Sequence, residues 1–121
     1  TERCPRCSSP AGVTLLREDP VAETTRRSLV CALCPHEWGF PRVVCPGCRE
    51  ERPDLQPRFG AEQIPWIRVE ACDSCGRYLK CIDLTREPDA DPRVDELGSL
   101  PLDAVAQERG YAKLAPNLLG W

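Results

Sequence analysis

Eight of the nine cysteines in this 121-residue chain form four Cys-x-x-Cys pairs, and the pairs occur in two equally spaced sets. Cys4 to Cys31 is 27 residues, as is Cys45 to Cys72, and the second set lies 41 residues after the first. Four thiolates from two such pairs complete a tetrahedral metal site. The spacing therefore predicts two sites: Cys4, Cys7, Cys31 and Cys34 (site 1), and Cys45, Cys48, Cys72 and Cys75 (site 2).

A site closed by four thiolates leaves no position for a reactive water, so we expect no catalysis at either metal and predict that the chain is not an enzyme. Zinc and a single iron both accept tetrahedral sulfur ligands, and the ligands are equally compatible with either ion. Rubredoxin-type pairs often carry glycine after the second cysteine, which here is true of Gly76 alone. The sequence leaves the identity of the metal open.

Cys-x-x-Cys pairs also occur in disulfide frameworks and thioredoxin-like redox sites. No signal peptide or apolar run of transmembrane length is visible, and no pair opens a clear amphipathic helix, so metal binding is favoured. A cross-braced arrangement would join Cys4 and Cys7 to Cys45 and Cys48. The repeat disfavours it, because each set already holds four ligands.

Composition supports metal-dependent folding. Each repeat spans about 40 residues, near the lower limit for folding on an apolar core alone, and the chain has only three Trp, two Tyr and two Phe. A metal must supply the missing stability. The chain lacks methionine even at position 1, so we expect it to be part of a longer protein. Its net charge of −3 argues weakly against a surface devoted to nucleic acid.

We expect a small, metal-stabilised, mainly β fold with two tandem rubredoxin-like (zinc-ribbon) modules and a short C-terminal helical tail. The modules are predicted at 1–44 and 45–86, and a connector with a helix or tail packed on them at 87–121. Residues 13–16 read as a short strand, and 26–31 lead in extended form into the second pair. Because the modules meet at Val44 and Cys45 without a linker, we expect them to pack together.

In the tail, Asp91 is predicted to cap a helix that has Pro92 in its first position, and Gly110 to end one. One helix or two are equally compatible with this segment. Four apolar residues recur at helix-like spacings in this segment: Val94, Leu97, Leu100 and Val105. The apolar residues 114–121 are expected to fold back on the ribbons.

Two further residues could do chemistry. Cys81 could be a redox-active thiol, but it falls opposite Phe40 in the repeat, so a small buried residue is favoured. His36, the single histidine, follows Cys34 by two residues; with full cysteine sets available, we expect a surface role. Five arginines could form a basic face for nucleic acid or an acidic peptide: Arg26, Arg27, Arg42, Arg49 and Arg52. We favour a solvated surface balanced by Glu50, Glu51 and the acidic 83–96 stretch.

Three segments carry a family resemblance through residues between and beyond the cysteines: 31–34 with Glu37-Trp38 and 42–48, 70–83 with Tyr78-Leu79-Lys80, and 94–120. They resemble the C-terminal part of the formate dehydrogenase accessory protein FdhE, nearly end to end. The resemblance implies a cytoplasmic maturation factor with paired rubredoxin-like modules, in which iron is suggested. Its implied partner is the immature catalytic subunit of a respiratory formate dehydrogenase, or its signal peptide, before export by the twin-arginine (Tat) pathway. The family's helical N-terminal half is absent from this sequence.

Two other functions compete with this interpretation. A rubredoxin-type electron carrier requires iron in at least one site. A nucleic-acid-binding zinc ribbon predicts strongly salt-dependent binding, but stacking aromatics do not cluster among the arginines. We therefore expect neither nucleic acid nor membrane insertion, and the sequence leaves the oligomeric state open.

Overall fold

The computed structural model describes residues 2–19, 21–34 and 36–115, and at residue 93 it describes the backbone alone. The prediction of a mainly β fold with a short helical region is confirmed. The strands are β1 Ala11–Asp19, β2 Thr24–Cys31, β3 Glu37–Gly39, β4 Arg58–Gly60, β5 Ile67–Ala71, β6 Arg77–Asp83 and β7 Ala112–Lys113. The helices are α1 Pro92–Gly98 and α2 Leu100–Glu108, and one 3-10 turn covers Pro53–Leu55.

The strands form one sheet in the order β3-β2-β1-β6-β5-β4, with β7 also beside β6. Pairing within each repeat is antiparallel. The repeats are joined by a parallel ladder between β1 and β6, from Val13↔Lys80 to Leu16↔Asp83. The expected packing of one repeat against the other therefore takes the form of a shared sheet, while the division at residues 44 and 45 stays a prediction.

The 41-residue repeat is visible in the backbone. Ser8 N–H donates to the Cys4 carbonyl at 2.9 Å, and Arg49 N–H donates to the Cys45 carbonyl at 2.8 Å. Strand lengths differ: β1 has nine residues and its counterpart β4 three, whereas β3 has three and its counterpart β6 seven. The two long strands are those that meet at the joint, where each gains a second neighbour to pair with. The strand predicted at 13–16 extends over 11–19, because its antiparallel ladder with β2 runs from Ala11 to Asp19.

The main core lies between the sheet and α2. It contains nine buried residues: Val13, Leu15, Ile67, Val69, Ala71, Tyr78, Ile82, Leu102 and Ala106. Burying one Leu, Ile or Val side chain contributes about 1.5–3 kcal/mol, so this cluster is a large source of stability beside the metals. A smaller cluster forms near the cysteines of both repeats from Ala11, Leu29, Phe40 and Leu79.

The tail contains two helices. Asp91 Oδ1 accepts a hydrogen bond from the Val94 N–H at 3.4 Å at the start of α1, and Gly110 has φ +92° just after α2. Of the apolar residues at helical spacings, Val94 is 64% exposed and Val105 36%. The polar residues Glu96 and Asp103 are buried instead. Ala115 is buried, and the fold-back predicted for 116–121 lies outside the described residues. No helix in the described part of the chain has the length and apolarity needed to cross a bilayer.

Candidate metal centres

The four sulfurs predicted for site 1 lie together at the end of the first repeat, all within 4.8 Å of one another. The Cys7 Sγ is 3.4 Å from that of Cys31 and 3.6 Å from that of Cys34. The Cys4 Sγ is also 3.6 Å from that of Cys34. Cys4 and Cys31 are buried, while Cys7 is exposed. The first and second pairs therefore meet at one point close to the surface.

Site 2 repeats this arrangement with the cysteines 41 residues later, which also lie within 4.8 Å of one another. The Sγ atoms of Cys45 and Cys75 are 3.9 Å apart, and those of Cys48 and Cys72 are 3.7 Å apart. Burial follows the same pattern, with Cys45 and Cys72 buried and Cys48 exposed.

These distances fit a metal-bound tetrahedron. Ligands at a Zn–S distance of about 2.3 Å place neighbouring sulfurs about 3.8 Å apart, whereas a disulfide needs about 2.05 Å. Both clusters can hold a metal ion, and among the described residues no histidine or carboxylate joins either group. The sulfur set accepts zinc or iron.

Backbone amides point at the buried sulfurs. The Arg6 N–H donates to Cys4 Sγ at 3.4 Å, and its counterpart Gly47 donates to Cys45 Sγ at 3.3 Å. Cys31 Sγ accepts from the Cys34 N–H at 3.3 Å. Such donors stabilise thiolate charge and orient the ligand, so each loop is built to hold an anionic sulfur.

The residue after the second cysteine adopts a left-handed backbone in three of the four loops. Its φ is +64° at Ser8, +66° at Arg49 and +72° at Gly76. Position 35 lies outside the described residues. The sequence has the rubredoxin-like glycine only at 76, yet the same turn forms at Ser8 and Arg49 in spite of their side chains.

The thiols of each cluster differ in proton affinity. Hydrogen bonds from Ser9 and then from Cys31 lower the pKa of Cys7 to about 6, while burial raises the pKa of Cys31 to about 11. In site 2, burial likewise raises the pKa of Cys45. Burial alone would raise the pKa of Cys48, but hydrogen bonds from Glu50 and Cys72 lower it overall. Metal binding therefore has to displace protons from the Cys31 and Cys45 thiols.

The tail contacts site 2. The Tyr111 hydroxyl donates to Asp73 Oδ1 at 2.5 Å, between the two cysteines of the fourth pair. The Ala112 N–H donates to the Gly76 carbonyl at 2.9 Å. A Cβ at Gly47 would meet both Leu114 Cδ1 and Cys75 Sγ at 3.3 Å, so this glycine lets the tail approach the metal loop closely.

A buried ionic cluster fastens the helices to β6, and sequence reasoning missed it. Lys80 Nζ lies 2.6 Å from Asp103 Oδ2 and 3.0 Å from Glu96 Oε2, and both Lys80 and Asp103 are fully buried. Lys113 pairs with the same two carboxylates. Burial, and then the hydrogen bond to Asp103, raises the pKa of Tyr78. Two features of the sequence could have predicted this cluster: a lysine lies inside an apolar strand, and an aspartate lies on the apolar side of a helix.

The prediction that Arg27 contributes to a basic face is wrong, because its side chain is buried. Its guanidinium donates to Glu70 Oε1 at 2.9 Å and to the Val44 carbonyl at 2.8 Å. It thus ties β2 of the first repeat to β5 of the second and holds the segment that enters Cys45. On the surface, Arg49 pairs with Glu2 and Arg52 with Asp54. These arginines are balanced by acids, although not by the glutamates expected.

The other two candidate residues lie outside both clusters. Cys81 is fully buried on β6, as predicted, and burial raises the pKa of its thiol to about 12. The His36 ring stacks on that of Trp38, with centroids 6.0 Å apart. Neither residue completes a metal site.

Comparisons with known proteins agree on one family. A family model described as "FdhE, C-terminal domain" matches residues 43–119. "Protein FdhE homolog" of Pseudomonas aeruginosa is 39% identical over 124 residues, covering 96% of this chain and 38% of the relative. The homolog of Aquifex aeolicus is 30% identical over 118 residues, covering 98% and 41%.

A crystal structure of the FdhE protein from Pseudomonas aeruginosa superposes with a TM-score of 0.86 at 34% identity. The match covers 98% of this chain and 41% of that protein. The chain thus spans about two fifths of the length of these relatives.

Proposed function

We propose, since this chain belongs to the FdhE family, that it is the metal-binding module of a formate dehydrogenase accessory protein. In this proposal Cys4, Cys7, Cys31 and Cys34 hold one ion, and Cys45, Cys48, Cys72 and Cys75 hold the other. The module binds the immature catalytic subunit of a respiratory formate dehydrogenase, or its signal peptide, in the cytoplasm before export. It does no chemistry on a substrate.

The observation that carries the proposal is the pair of closed four-sulfur clusters, with neighbouring sulfurs 3.4–3.9 Å apart. A metal bound there stabilises a rigid surface and, if it is iron, adds one-electron chemistry. With every position filled by sulfur, no site remains for a substrate or an activated water. A binding function fits this arrangement better than a catalytic one.

The test is capture of the catalytic subunit, with and without its signal peptide, by the metal-loaded full-length protein that contains this module. We expect capture by the wild type and loss of capture when Cys4→Ser and Cys45→Ser are combined. Cys81→Ala is the matched control, because it removes a cysteine outside both clusters and should keep two metals. Failure of the metal-loaded wild type to capture the subunit in either form would contradict the proposal.

Electron transfer is the second candidate, supported by the exposed cysteine at each site. Cys7 and Cys48 bring the metal close to the surface, as an electron carrier requires. Metal analysis and a visible spectrum of protein prepared without oxygen test this alternative. A colourless protein that contains zinc alone would exclude it.

A further inference from the structure

The backbone of β3 has hydrogen-bonding groups on its outer edge. The Cys31 N–H donates to the His36 carbonyl at 2.9 Å, and the Phe40 N–H donates to the Arg27 carbonyl at 3.0 Å. Bonded and non-bonded pairs alternate in an antiparallel ladder, so Glu37 and Gly39 direct their N–H and C=O groups away from β2. Within the described part of the chain, these groups make no backbone hydrogen bond.

The internal repeat shows what an edge of this geometry binds. The counterpart of Glu37 is Tyr78 on β6, whose carbonyl accepts the Leu114 N–H at 2.9 Å. The counterpart of Gly39 is Lys80, which pairs with Val13 of β1. Both β1 and β7 run parallel to β6. The edge that stays open in the first repeat therefore accepts parallel strands twice in the second.

A second copy of this chain cannot supply the missing strand in the same way. The β1 segment that pairs with β6 covers residues 13–16, and its counterpart is 54–57. That segment overlaps the 3-10 turn Pro53–Leu55 and ends in Pro57, which has no N–H. The occupant of β3 is therefore not the equivalent segment of a second copy, and we take it to be an extended segment of another protein.

The side chains around β3 define the chemistry of that peptide. A groove of about 430 Å³ beside the strand is lined by Arg17, Arg26, Ser28, Glu37, Trp38 and Gly39. Arg17 donates to both Glu37 carboxylate oxygens at 2.9 and 3.0 Å, so the charge of this pair is balanced and Arg26 leaves the groove positive. Open space surrounds the position of a Cβ at Gly39. An acidic side chain fits this groove.

We propose that the outer edge of β3 binds an extended segment of a partner protein as an added parallel strand. Because side chains alternate between the two faces of a strand, the segment places acidic residues towards Arg26 and apolar residues on the side of Trp38. The proposal rests on the proposed function only for the identity of the partner.

The test uses the peptide acetyl-Val-Glu-Val-Glu-Val-Glu-amide with the metal-loaded chain, monitored by amide NMR shifts at residues 36–40. Gly39→Pro removes the outward N–H without removing a bond to β2, as edge strands tolerate. Gly39→Ala is the matched control, since it keeps the N–H and has room for its methyl group. We expect Gly39→Pro to weaken binding at least tenfold and Gly39→Ala to leave it unchanged.

Two probes leave the protein backbone untouched. A peptide N-methylated at alternate residues should bind at least tenfold more weakly to the wild type, because it cannot form a strand ladder. A peptide with Lys in place of Glu should bind the wild type more weakly. The same Lys-containing peptide should bind the Arg26→Glu variant as tightly as the original peptide binds the wild type. Absence of any shift at residues 36–40 of the wild type, or equal binding of the N-methylated peptide, would overturn the proposal.

Capture of the formate dehydrogenase catalytic subunit separates this proposal from the proposed function. Equal capture by the full-length wild type and Gly39→Pro would overturn strand addition and leave the accessory function standing. If the peptide requires the Gly39 N–H but the wild type captures no subunit, the accessory function fails and the acceptor edge stands. If the peptide binds only a variant ending at Ala115, the chain's own residues 116–121 occupy the edge and the partner proposal is overturned.

Discussion

Strands β3 and β6 hold equivalent places in the two cysteine repeats, but their surroundings differ. β6 pairs with β1, β5 and β7, and its lysine lies fully buried against α1 and α2. β3 pairs with β2 alone among the described strands. The hydrogen bonds that shape the metal loops match in the two repeats, whereas the pairing of the outer strand edges differs. The two repeats therefore share one loop geometry, while their edges differ in the strands that they pair with.

The apolar core follows the same division. Of the nine residues in the main cluster, Val13 and Leu15 come from the first repeat, and the others come from the second repeat and α2. The smaller cluster takes Ala11, Leu29 and Phe40 from the first repeat and Leu79 from the second. We therefore expect the first repeat to depend on its metal for folding, and the second to draw on metal and core together.

The largest expected effect separates the repeats by their metals. Cys4→Ser and Cys45→Ser should each leave one bound metal instead of two, because a lost thiolate opens a closed site whose binding is worth about 10–16 kcal/mol in zinc-finger peptides. Hydrogen exchange should rise throughout β2 and β3 in Cys4→Ser. In Cys45→Ser it should rise in the metal loops, while β5 and β6 stay protected by the main core.

Metal analysis and exchange mass spectrometry check both parts of this prediction. Two metals retained in either variant would refute the ligand assignment. Equal loss of protection in the two repeats would instead show that the core does not support the second repeat on its own.

The next effect concerns positions 80 and 39, which correspond in the repeat. Lys80→Met should lower the free energy of unfolding by about 3–5 kcal/mol, because it removes one of the cations that pair with the buried carboxylates of Asp103 and Glu96. Gly39→Ala should change it by less than about 0.5 kcal/mol, as is usual at a surface position. Urea denaturation of the metal-loaded variants measures both. Similar values would mean that the ionic cluster does not stabilise the helices.

These two positions also show how far the sequence predicts the structure. Fixed spacing brought the eight cysteines together, and short apolar runs located the strands, because both signals are local. The pairing of Lys80 with Asp103 joins a strand to a helix 23 residues away, and no periodicity records it. The parallel joint between β1 and β6 is also long-range. Val94 shares a helical spacing with Leu97 yet is 64% exposed, and apolar spacing cannot reveal that the helices bury the carboxylates of Glu96 and Asp103 instead.

A pH-dependent effect distinguishes Cys81 from its counterpart Phe40, which is also buried. Burial raises the pKa of Cys81 from 9.0 to about 12, so the folded state holds the thiol proton more tightly than the unfolded chain. The contribution of this protonated thiol to folding stability is complete below pH 9 and is lost as the pH rises towards 12. By pH 10 the loss amounts to about 1 kcal/mol.

Urea denaturation at pH 8 and pH 10 tests this difference. The fall in stability should be about 1 kcal/mol smaller in Cys81→Ser, which cannot titrate in this range. Phe40→Leu, which alters the equivalent buried position without changing a titratable group, should keep the full fall. An identical fall in the wild type and Cys81→Ser would show that the thiol ionises equally in both states.

The smallest expected effect compares the turns that follow the second cysteine of each pair. Ser8 and Arg49 have left-handed backbones like that of Gly76, a conformation that costs residues with a Cβ about 1–2 kcal/mol. Ser8→Gly and Arg49→Gly should therefore stabilise the metal-loaded chain by about 0.5–1 kcal/mol, since glycine's greater freedom when unfolded offsets part of the gain.

Gly76→Ala should destabilise the metal-loaded chain by about 1 kcal/mol through backbone strain alone, because nothing lies within 4 Å of the added Cβ. Arg49→Ala is the matched control for the lost pair with Glu2, an exposed contact worth little. If Arg49→Gly and Arg49→Ala unfold at the same urea concentration, the left-handed turn stores no strain, and the loops of the two repeats differ in sequence without differing in energy.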